Sequence, residues 1–318
     1  MCIRDRARER PYVIELASPY LMPWAAFHHR ARHRECAVVA YHHADFPTAY
    51  IGEPVASVLG RHAGRAAGTA AEAYARLIYR GCDLTVTASP TFRRRLARLG
   101  VGSLAEIPLG VDLELFHPRR RDRDVWQPIF GSASRGPVLL YCGRLDREKQ
   151  VEVLLAAHRS LPPSLGARLL MVGEGPLRPA LEREAAADPR LVVRPFIADR
   201  RRLATLLASA DLYVTAGPFE TFGLSVLEAQ ASGLPVVGVA AGALRDRVPA
   251  GFGALTPVGD GAAMAAAIAD QLACDPRSRG RAARAWVERE FAWGTVFERL
   301  LDHYRRLTGG AEPSPPAP

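Results

Sequence analysis

The chain has 318 residues, of which 48% are hydrophobic and 24% charged, a composition typical of a globular protein with two ordinary domains. No apolar run reaches the length of a membrane span, and none of the five scattered cysteines has the spacing of a metal site. The odd cysteine count favours reduced thiols, and we therefore expect a cytoplasmic protein. The net charge of +9 is compatible with peripheral contact at the inner membrane face.

Strand-like and helix-like segments alternate in the first part of the chain. Short apolar runs, typical of buried parallel strands, are separated by longer helical stretches. The predicted strands cover residues 11–16, 37–41, 84–88 and 103–108, and the predicted helices begin near residues 20, 66 and 89. Ser89 and Pro90 are a favourable cap and first residue for the third of these helices.

The alternation stops between residues 117 and 136, where mixed charges, proline and glycine indicate a linker. It then resumes, with predicted strands at residues 137–141, 168–172, 191–193, 212–215 and 235–239. Two such blocks predict an α/β fold with two Rossmann-like, doubly wound domains. The predicted ranges are 1–125 for the first domain, 126–290 for the second, 291–308 for a last helix and 309–318 for a disordered tail.

Only one of the 42 basic residues is a lysine, and it follows closely on a predicted strand. Gly143 and Arg144 come directly after the strand at 137–141, and Lys149 comes five residues later. Ligands of α/β proteins bind at the carboxyl ends of the strands. A guanidinium and an ammonium group there suit the oxygens of a diphosphate, whereas the alternative is two solvated surface charges.

A second motif follows the strand at 212–215 and contains two glutamates eight positions apart. The N–H groups of Gly223 and Leu224, at a predicted helix start, form an anion site suited to phosphate. Glu220 precedes this site and would face the hydroxyls of a sugar. Glu228 lies among apolar residues, so we expect it to be partly buried and to accept hydrogen bonds from ribose hydroxyls. The alternative is a solvent-facing glutamate on an amphipathic helix.

Four other patterns are weaker. His42 and His43 follow the strand at 37–41 and could contact a sugar or relay a proton, but a structural role fits equally well. Residues 173–178 resemble a dinucleotide fingerprint but have arginine in place of the third glycine. Residues 122–124 resemble a metal-binding Asp-x-Asp motif but lie in the charged linker. A basic cluster either faces solvent or contacts anionic lipid headgroups, and it consists of Arg93, Arg94, Arg95 and Arg98.

Taken together, these motifs resemble the retaining GT-B glycosyltransferases of family 4, a group that includes bacterial mannosyltransferases. The resemblance is strongest over residues 137–305. The matching motifs are Gly143-Arg144 with Lys149, the E-x7-E pair Glu220 and Glu228, Thr221-Phe222-Gly223, residues 41–47, residues 108–118 and Phe291-Ala292-Trp293. The resemblance implies two domains that face each other across a cleft. It also implies transfer of a hexose from a nucleoside diphosphate to an acceptor hydroxyl, with retention and without a metal or other cofactor.

The resemblance assigns a role to each matched position. The implied catalytic residues are Glu220, Arg144, Lys149 and His43, with His43 approaching the donor sugar from the first domain. The implied donor-binding residues are Gly143, Thr221, Phe222, Gly223 and Leu224 at the diphosphate and sugar, Glu228 at the ribose, and Phe196 and Ile197 at the base. We expect GDP-mannose as donor, a lipid or glycan as acceptor, and no nucleic-acid partner.

The start of the chain departs from the family pattern. Members of the family begin with a strand and a glycine-rich loop, which residues 1–10 do not resemble. We therefore expect an incomplete first domain, lacking about two βα units, and residues 1–10 to be foreign sequence. Two alternatives stay open: an enzyme that uses a UDP-hexose, and a catalytically weak remnant that binds a nucleotide sugar.

Overall fold

The computed structural model describes residues 11–42, 45–131 and 136–310, which form two compact α/β units. The first unit holds the described residues up to Leu109 and from Gly294 onward, and the second holds Gly110 to Trp293. Residues 1–10 lie outside the described ranges, so the expected missing βα units stay a prediction. None of the helices within these ranges is long and apolar enough to cross a membrane.

The first unit is built on a parallel sheet of four strands, counted over the described residues, in the order β1-β2-β3-β4. The strands are β1 (Val13–Leu16), β2 (Ala37–His42), β3 (Leu84–Thr87) and β4 (Leu104–Glu106). Val13 of β1 pairs with Ala37 of β2, and Thr85 of β3 pairs with Leu104 of β4. The four strands predicted for this part of the chain are confirmed, and the fully buried strands β2 and β3 form the centre of the core.

Up to Leu109, the helices of the first unit are α1 (Met22–Arg32), a π-helix (Phe46–Gly52), α2 (Glu53–Leu59), α3 (Arg61–Arg80) and α4 (Pro90–Arg98). They differ from the prediction between residues 46 and 80. Gly60, with a φ of +86°, separates α2 from α3, which begins earlier than expected. Gly64 lets these segments approach closely, because a Cβ atom there would lie 2.6 Å from the carbonyl oxygen of Gly52. Ser89 caps α4 as predicted, since its hydroxyl accepts the N–H of Phe92 at 3.4 Å.

The second unit contains a parallel sheet of six strands, counted over the described residues, in the order β10-β9-β8-β5-β6-β7. The strands are β5 (Val138–Cys142), β6 (Arg168–Val172), β7 (Leu191–Arg194), β8 (Leu212–Val214), β9 (Val236–Val239) and β10 (Gly253–Thr256). The five strands predicted for this part are confirmed. Strand β10 is not predicted, because its Gly-Ala-Leu-Thr sequence lacks a β-branched run, and in the structure it is only partly buried.

The strand order reverses between β5 and β8, and right-handed crossovers in the two directions put the helices of the second unit on opposite faces of this sheet. They are α5 (Gln127–Phe130), α6 (Val151–Ser160), α7 (Arg178–Ala187), α8 (Arg200–Ser209), α9 (Leu224–Ala231), α10 (Leu244–Arg247), α11 (Gly261–Ala273) and α12 (Pro276–Glu290). Helix α9 ends before Gly233, as predicted, because this glycine has a φ of +81°.

The boundary between the units lies earlier than the predicted one at 125–126. The chain divides at 109–110 because the predicted linker packs on the second unit. The Trp126 indole N–H donates to the carbonyl of Ser209 at 3.3 Å, and Arg121 binds Asp211 at 3.2 Å. Asp122 caps a short 3₁₀-helix by accepting the N–H of Asp124 at 3.0 Å, which gives the Asp-x-Asp motif a structural role.

Helix α13 (Trp293–Leu307) belongs, from Gly294 onward, to the first unit. Within that unit the Tyr304 hydroxyl donates a hydrogen bond to the carboxylate of Glu15, next to the end of β1. The predicted range for this helix, 291–308, starts two residues earlier. Of the predicted tail, residues 311–318 lie outside the described ranges.

Candidate functional site

The carboxyl ends of β5 and β6 face a cavity of about 410 Å³. This is the edge at which parallel sheets bind ligands, and the strand order reverses here between β5 and β8. The cavity brings together five of the predicted site residues, namely Arg144 of the catalytic group and Gly143, Phe196, Ile197 and Glu228 of the donor-binding group. The other described candidates do not line it and lie in the loops after β5 and β8 or, for Leu224, at the start of α9; the loop residues are Lys149, Glu220, Thr221, Phe222 and Gly223.

The glycines after β5 and β6 allow two loops to meet at the edge of this cavity. A Cβ atom at Gly173 would lie 1.8 Å from the carbonyl oxygen of Gly143, and one at Gly175 would lie 2.3 Å from that of Leu145. The N–H of Leu145 donates to the carbonyl of Glu174 at 2.8 Å. The glycines that resemble a dinucleotide fingerprint therefore serve close backbone packing.

Lys149 and Glu220 form an ion pair in which the Lys149 Nζ atom donates to Glu220 Oε2 at 2.9 Å. The other carboxylate oxygen, Oε1, accepts the N–H of Gly223 at 3.0 Å. Burial alone would raise the pKa of Glu220, but the charge of Lys149 and the backbone N–H groups outweigh it and lower the pKa below its ordinary value of 4.5. Glu220 is therefore ionised at neutral pH and holds the lysine ammonium beside the start of α9.

Glu228 is buried, as predicted, and its partner is Arg200, which is not among the predicted site residues. The Arg200 Nη2 atom donates to Glu228 Oε1 at 2.5 Å. Burial raises the pKa of Glu228 above its ordinary value of 4.5, although the hydrogen bond and the charge of Arg200 oppose the rise. Arg200 lies in a run of three arginines, and only its place at the start of α8 distinguishes it.

Arg144 reaches the cavity, but its guanidinium group also binds carboxylates of its own loop. Its Nη1 atom lies 2.8 Å from Asp146 Oδ2, and its Nη2 atom lies 2.5 Å from Glu148 Oε2. More than half of the side chain is exposed. The structure therefore places Arg144 and Lys149 on one loop, with separate acidic partners.

The loop before α9 is supported by a buried arginine. The Arg247 guanidinium lies 4.3 Å from the centre of the Phe222 ring, and its Nε atom donates to the Phe222 carbonyl at 3.0 Å. The Phe222 side chain is buried, so it contributes to the core and not to a ligand surface. Gly223 has a φ of +83°, a conformation that favours glycine, and it turns the chain into α9, whose first residue, Leu224, is exposed.

Among the remaining candidates, Phe196 is 67% exposed and its N–H donates to Glu174 Oε1 at 3.3 Å. His43 lies outside the described residues, so its role stays a prediction. Its neighbour His42 is buried, and its Nδ1 atom lies 3.1 Å from the Tyr79 hydroxyl. These contacts agree with a structural role for His42, which is the alternative to a catalytic one.

The first unit has a cavity of its own, about 670 Å³ in volume, beside the π-helix and α3. Arg95 lines it and binds Asp45 at 2.7 Å and Glu72 at 2.9 Å. Burial alone would lower the pKa of Arg95, but these carboxylates outweigh it and raise the pKa. Arg95 is therefore not part of a free basic surface, which corrects the predicted four-residue cluster, while Arg93 is exposed.

The sequence matches two protein-family models, one for each unit. Residues 136–274 match the family described as "Glycosyl transferases group 1". Residues 2–115 match the family described as "Glycosyltransferase Family 4".

Two mannosyltransferases of Mycobacterium tuberculosis are similar in sequence. The "GDP-mannose-dependent alpha-(1-6)-phosphatidylinositol dimannoside mannosyltransferase" of strain ATCC 25177 / H37Ra is 38% identical over 220 residues, which are 69% of this chain and 56% of that protein. The "GDP-mannose-dependent alpha-mannosyltransferase" of strain CDC 1551 / Oshkosh is 32% identical over 307 residues, which are 94% of this chain and 74% of that protein. The matched region thus spans little more than half the length of the first relative.

A solved structure, the sucrose-phosphate synthase from Thermosynechococcus elongatus, has the same architecture. Its TM-score is 0.79 at 26% sequence identity, with 97% of this chain and 76% of that chain covered. The chain belongs to the family 4 glycosyltransferases, and its two parallel-sheet α/β units have the GT-B fold.

Proposed function

We propose that the protein transfers mannose from GDP-mannose to an acceptor hydroxyl, with retention of configuration at the anomeric carbon. The observation that carries this proposal is the cluster of Lys149, Glu220 and Gly223 at the carboxyl edge of the sheet. An ammonium group and a helix N-terminus suit the oxygens of a diphosphate, and a carboxylate accepts hydrogen bonds from the hydroxyls of a sugar. The names of two relatives, both GDP-mannose-dependent, support the choice of donor.

In this proposal the donor extends from the 410 Å³ cavity to the lysine cluster. The base would stack on the exposed ring of Phe196 next to Ile197, and the ribose hydroxyls would bind Glu228. The diphosphate would meet the cations of Arg144 and Lys149. The hexose hydroxyls would then donate to Glu220, which is ionised and accepts such bonds well.

The chemistry would depend on neutralising the negative charge that the departing diphosphate gains in the transition state. Lys149 is already held in place by Glu220, so little reorganisation is needed when that charge develops. The N–H groups of Gly223 and Leu224 would add to this stabilisation. We propose that these groups perform this task without a metal or other cofactor.

The acceptor would be a lipid or a glycan and would bind the first unit, where the 670 Å³ cavity offers charged side chains and backbone groups. The name of one relative refers to a phosphatidylinositol dimannoside, which is both a lipid and a glycan. The exposed residues Arg93 and Arg98 would supply contact with an anionic membrane.

The test is calorimetric titration of the chain with GDP, GDP-mannose, UDP and UDP-glucose. We expect GDP and GDP-mannose to bind, and Lys149→Ala to weaken binding at least about tenfold because a charge-assisted contact to the diphosphate is lost. Arg147→Ala is the matched control, since Arg147 is an exposed cation of the same loop. Proton NMR of the glycosylated product, which reports the anomeric configuration, tests retention.

Each other outcome has a defined meaning. Binding of UDP compounds alone would identify an enzyme that uses a UDP-hexose. Binding of GDP-mannose without transfer to lipid or glycan acceptors would identify a nucleotide-sugar-binding remnant. The proposal fails if no nucleotide binds, or if Lys149→Ala and Arg147→Ala weaken binding equally.

A further inference from the structure

Arg200 occupies a defined place in the donor cavity. Asp199 caps helix α8 because its carboxylate accepts the N–H groups of Arg201 at 2.9 Å and Arg202 at 3.2 Å. This cap makes Arg200 the first residue of the helix, at the edge of the cavity that Glu228 also lines. The next arginine, Arg201, does not line that cavity.

Two contacts hold the Arg200 guanidinium group. It donates to Glu228 Oε1 at 2.5 Å, and its central carbon lies 4.9 Å from the centre of the Phe116 ring. Phe116 is itself buried, and its carbonyl accepts a hydrogen bond from Arg284. The aromatic face under Arg200 is therefore fixed, and the guanidinium position follows from it.

The two partners differ in their exposure. The Glu228 side chain is 7% exposed, whereas that of Arg200 is 51% exposed. A buried carboxylate without a partner is costly and tends to take up a proton. A protonated carboxyl group would also lose much of its capacity to accept hydrogen bonds from a diol.

We propose that Arg200 is a positioning residue of the donor site, which orients the Glu228 carboxylate and keeps it ionised so that it can bind the donor ribose. This inference rests on the proposed function, in which Glu228 holds the ribose. Because Arg200 binds Oε1, the ribose hydroxyls would bind Oε2 in this proposal.

Other groups near Glu228 do not replace Arg200 in this role. Arg144 binds Asp146 and Glu148, and Glu174 binds Arg178 at 2.7 Å. The Cys142 thiol, whose pKa is raised by burial and by the Glu228 charge, is neutral at physiological pH. The titratable and charged groups that surround Glu228 at the cavity are Cys142, Arg144, Glu174, Arg200 and, through its contact with Cys142, Tyr213.

Loss of Arg200 has a predictable effect on pH dependence. The Glu228 pKa is already above 4.5 because of burial, and the Arg200 charge opposes that rise. Without the guanidinium group the pKa rises further, so the carboxylate protonates at a higher pH. Affinity for the donor, which requires the ionised form, then falls off at a higher pH.

The experiment measures the affinity of the full chain for GDP between pH 5 and pH 8.5. We expect Arg200→Ala to move the pH midpoint of binding upward by about one unit or more, the usual effect of an opposite charge at this distance. Arg200→Lys retains the charge and should restore most of the midpoint. Arg201→Ala, a change of the exposed neighbour, should leave both midpoint and affinity unchanged. In a Glu228→Gln background, Arg200→Ala should cause no shift of the midpoint.

The outcomes separate this inference from the proposed function. If the wild-type chain binds GDP and Glu228→Gln weakens binding, but Arg200→Ala lowers affinity equally at every pH, Arg200 has only a structural role and the inference is overturned. If Arg200→Ala changes nothing, the inference is also overturned while the proposed function stands. If the wild-type chain binds no nucleotide, both fail. Should Arg200→Ala not fold, the comparison of Arg200→Lys with Arg200→Gln provides the same test.

Discussion

Glu220 and Glu228 belong to one motif, yet their environments shift their pKa values in opposite directions. Lys149 and backbone N–H groups outweigh burial at Glu220 and lower its pKa, whereas burial outweighs Arg200 at Glu228 and raises its pKa. A lowered pKa contributes stability above the unfolded value of about 4.5, which is lost as the pH falls. A raised pKa contributes stability below that value, which is lost as the pH rises through the folded pKa.

We therefore expect two matched substitutions to differ in their effect on stability. At pH 7, Glu220→Gln should lower the free energy of unfolding by about 2 kcal/mol, the range for a hydrogen-bonded charge, while Glu228→Gln should leave it unchanged or raise it. Both differences should shrink as the pH falls below about 4.5. Urea unfolding at pH 7 and pH 4 measures them, with the exposed Glu152→Gln as control. A loss of stability at pH 7 in both variants would contradict the assignment.

A site residue is predictable where its rarity or its spacing within a short segment marks it. Its partner from a distant segment of the chain is not predictable in this way. The rarity of lysine singles out Lys149, and the spacing of the two glutamates singles out Glu220 and Glu228. Arg200 comes 28 residues before Glu228 and meets it only because the loops after β7 and β8 converge at one sheet edge. Nothing in a run of three arginines indicates which one is turned into the cavity.

One buried side chain of helix α12, Arg284, connects this helix to two neighbouring segments. Arg284 is almost fully buried and donates to the carbonyls of Phe116 and Ala231, and to that of Leu113 at 3.1 Å. These carbonyls belong to the segment 113–116 and to the end of α9. The arginine therefore connects three parts of the second unit through backbone groups that have lost solvent.

Arg284→Ala should lower the free energy of unfolding by about 3 kcal/mol, because several buried carbonyls lose a charged donor at once. Arg281→Ala, on the same helix, should change it by less than about 0.5 kcal/mol, since its ion pair to Asp275 is long and exposed. Urea denaturation followed by tryptophan fluorescence measures both. Equal effects of the two substitutions would show that Arg284 does not connect these segments.

Strands and helices with a clear local pattern of apolar or capping residues are predictable, whereas elements that depend on packing against distant segments are not. The buried strands and the capped helix α4 agree with the predictions because apolar runs and a Ser-Pro start are local signals. The π-helix at Phe46–Gly52 has no local signal. It depends on close approach to α3, which Gly64 permits.

For the whole molecule, the number of units is predictable but their boundary is not. Two blocks of alternating strands and helices indicate two units, and the polar stretch at 117–136 suggests the linker. That stretch nevertheless packs on the second unit, since the Arg121 side chain binds Asp211 and the backbone N–H of Asp122 donates to the Ser209 hydroxyl. Composition does not distinguish a polar segment that packs from one that links.

The division into two units leads to a prediction about where the donor binds. If the second unit holds the nucleotide, GDP should slow amide hydrogen exchange in residues 143–149, 173–175 and 220–228, because bound ligand suppresses local opening. Exchange in α3 of the first unit should not change. Mass spectrometry of peptic fragments measures both regions in one sample, and Lys149→Ala at the same GDP concentration is the control that should show less protection. Protection confined to the peptides around Arg95 would instead place the nucleotide in the first unit's cavity and overturn the assignment of the donor site.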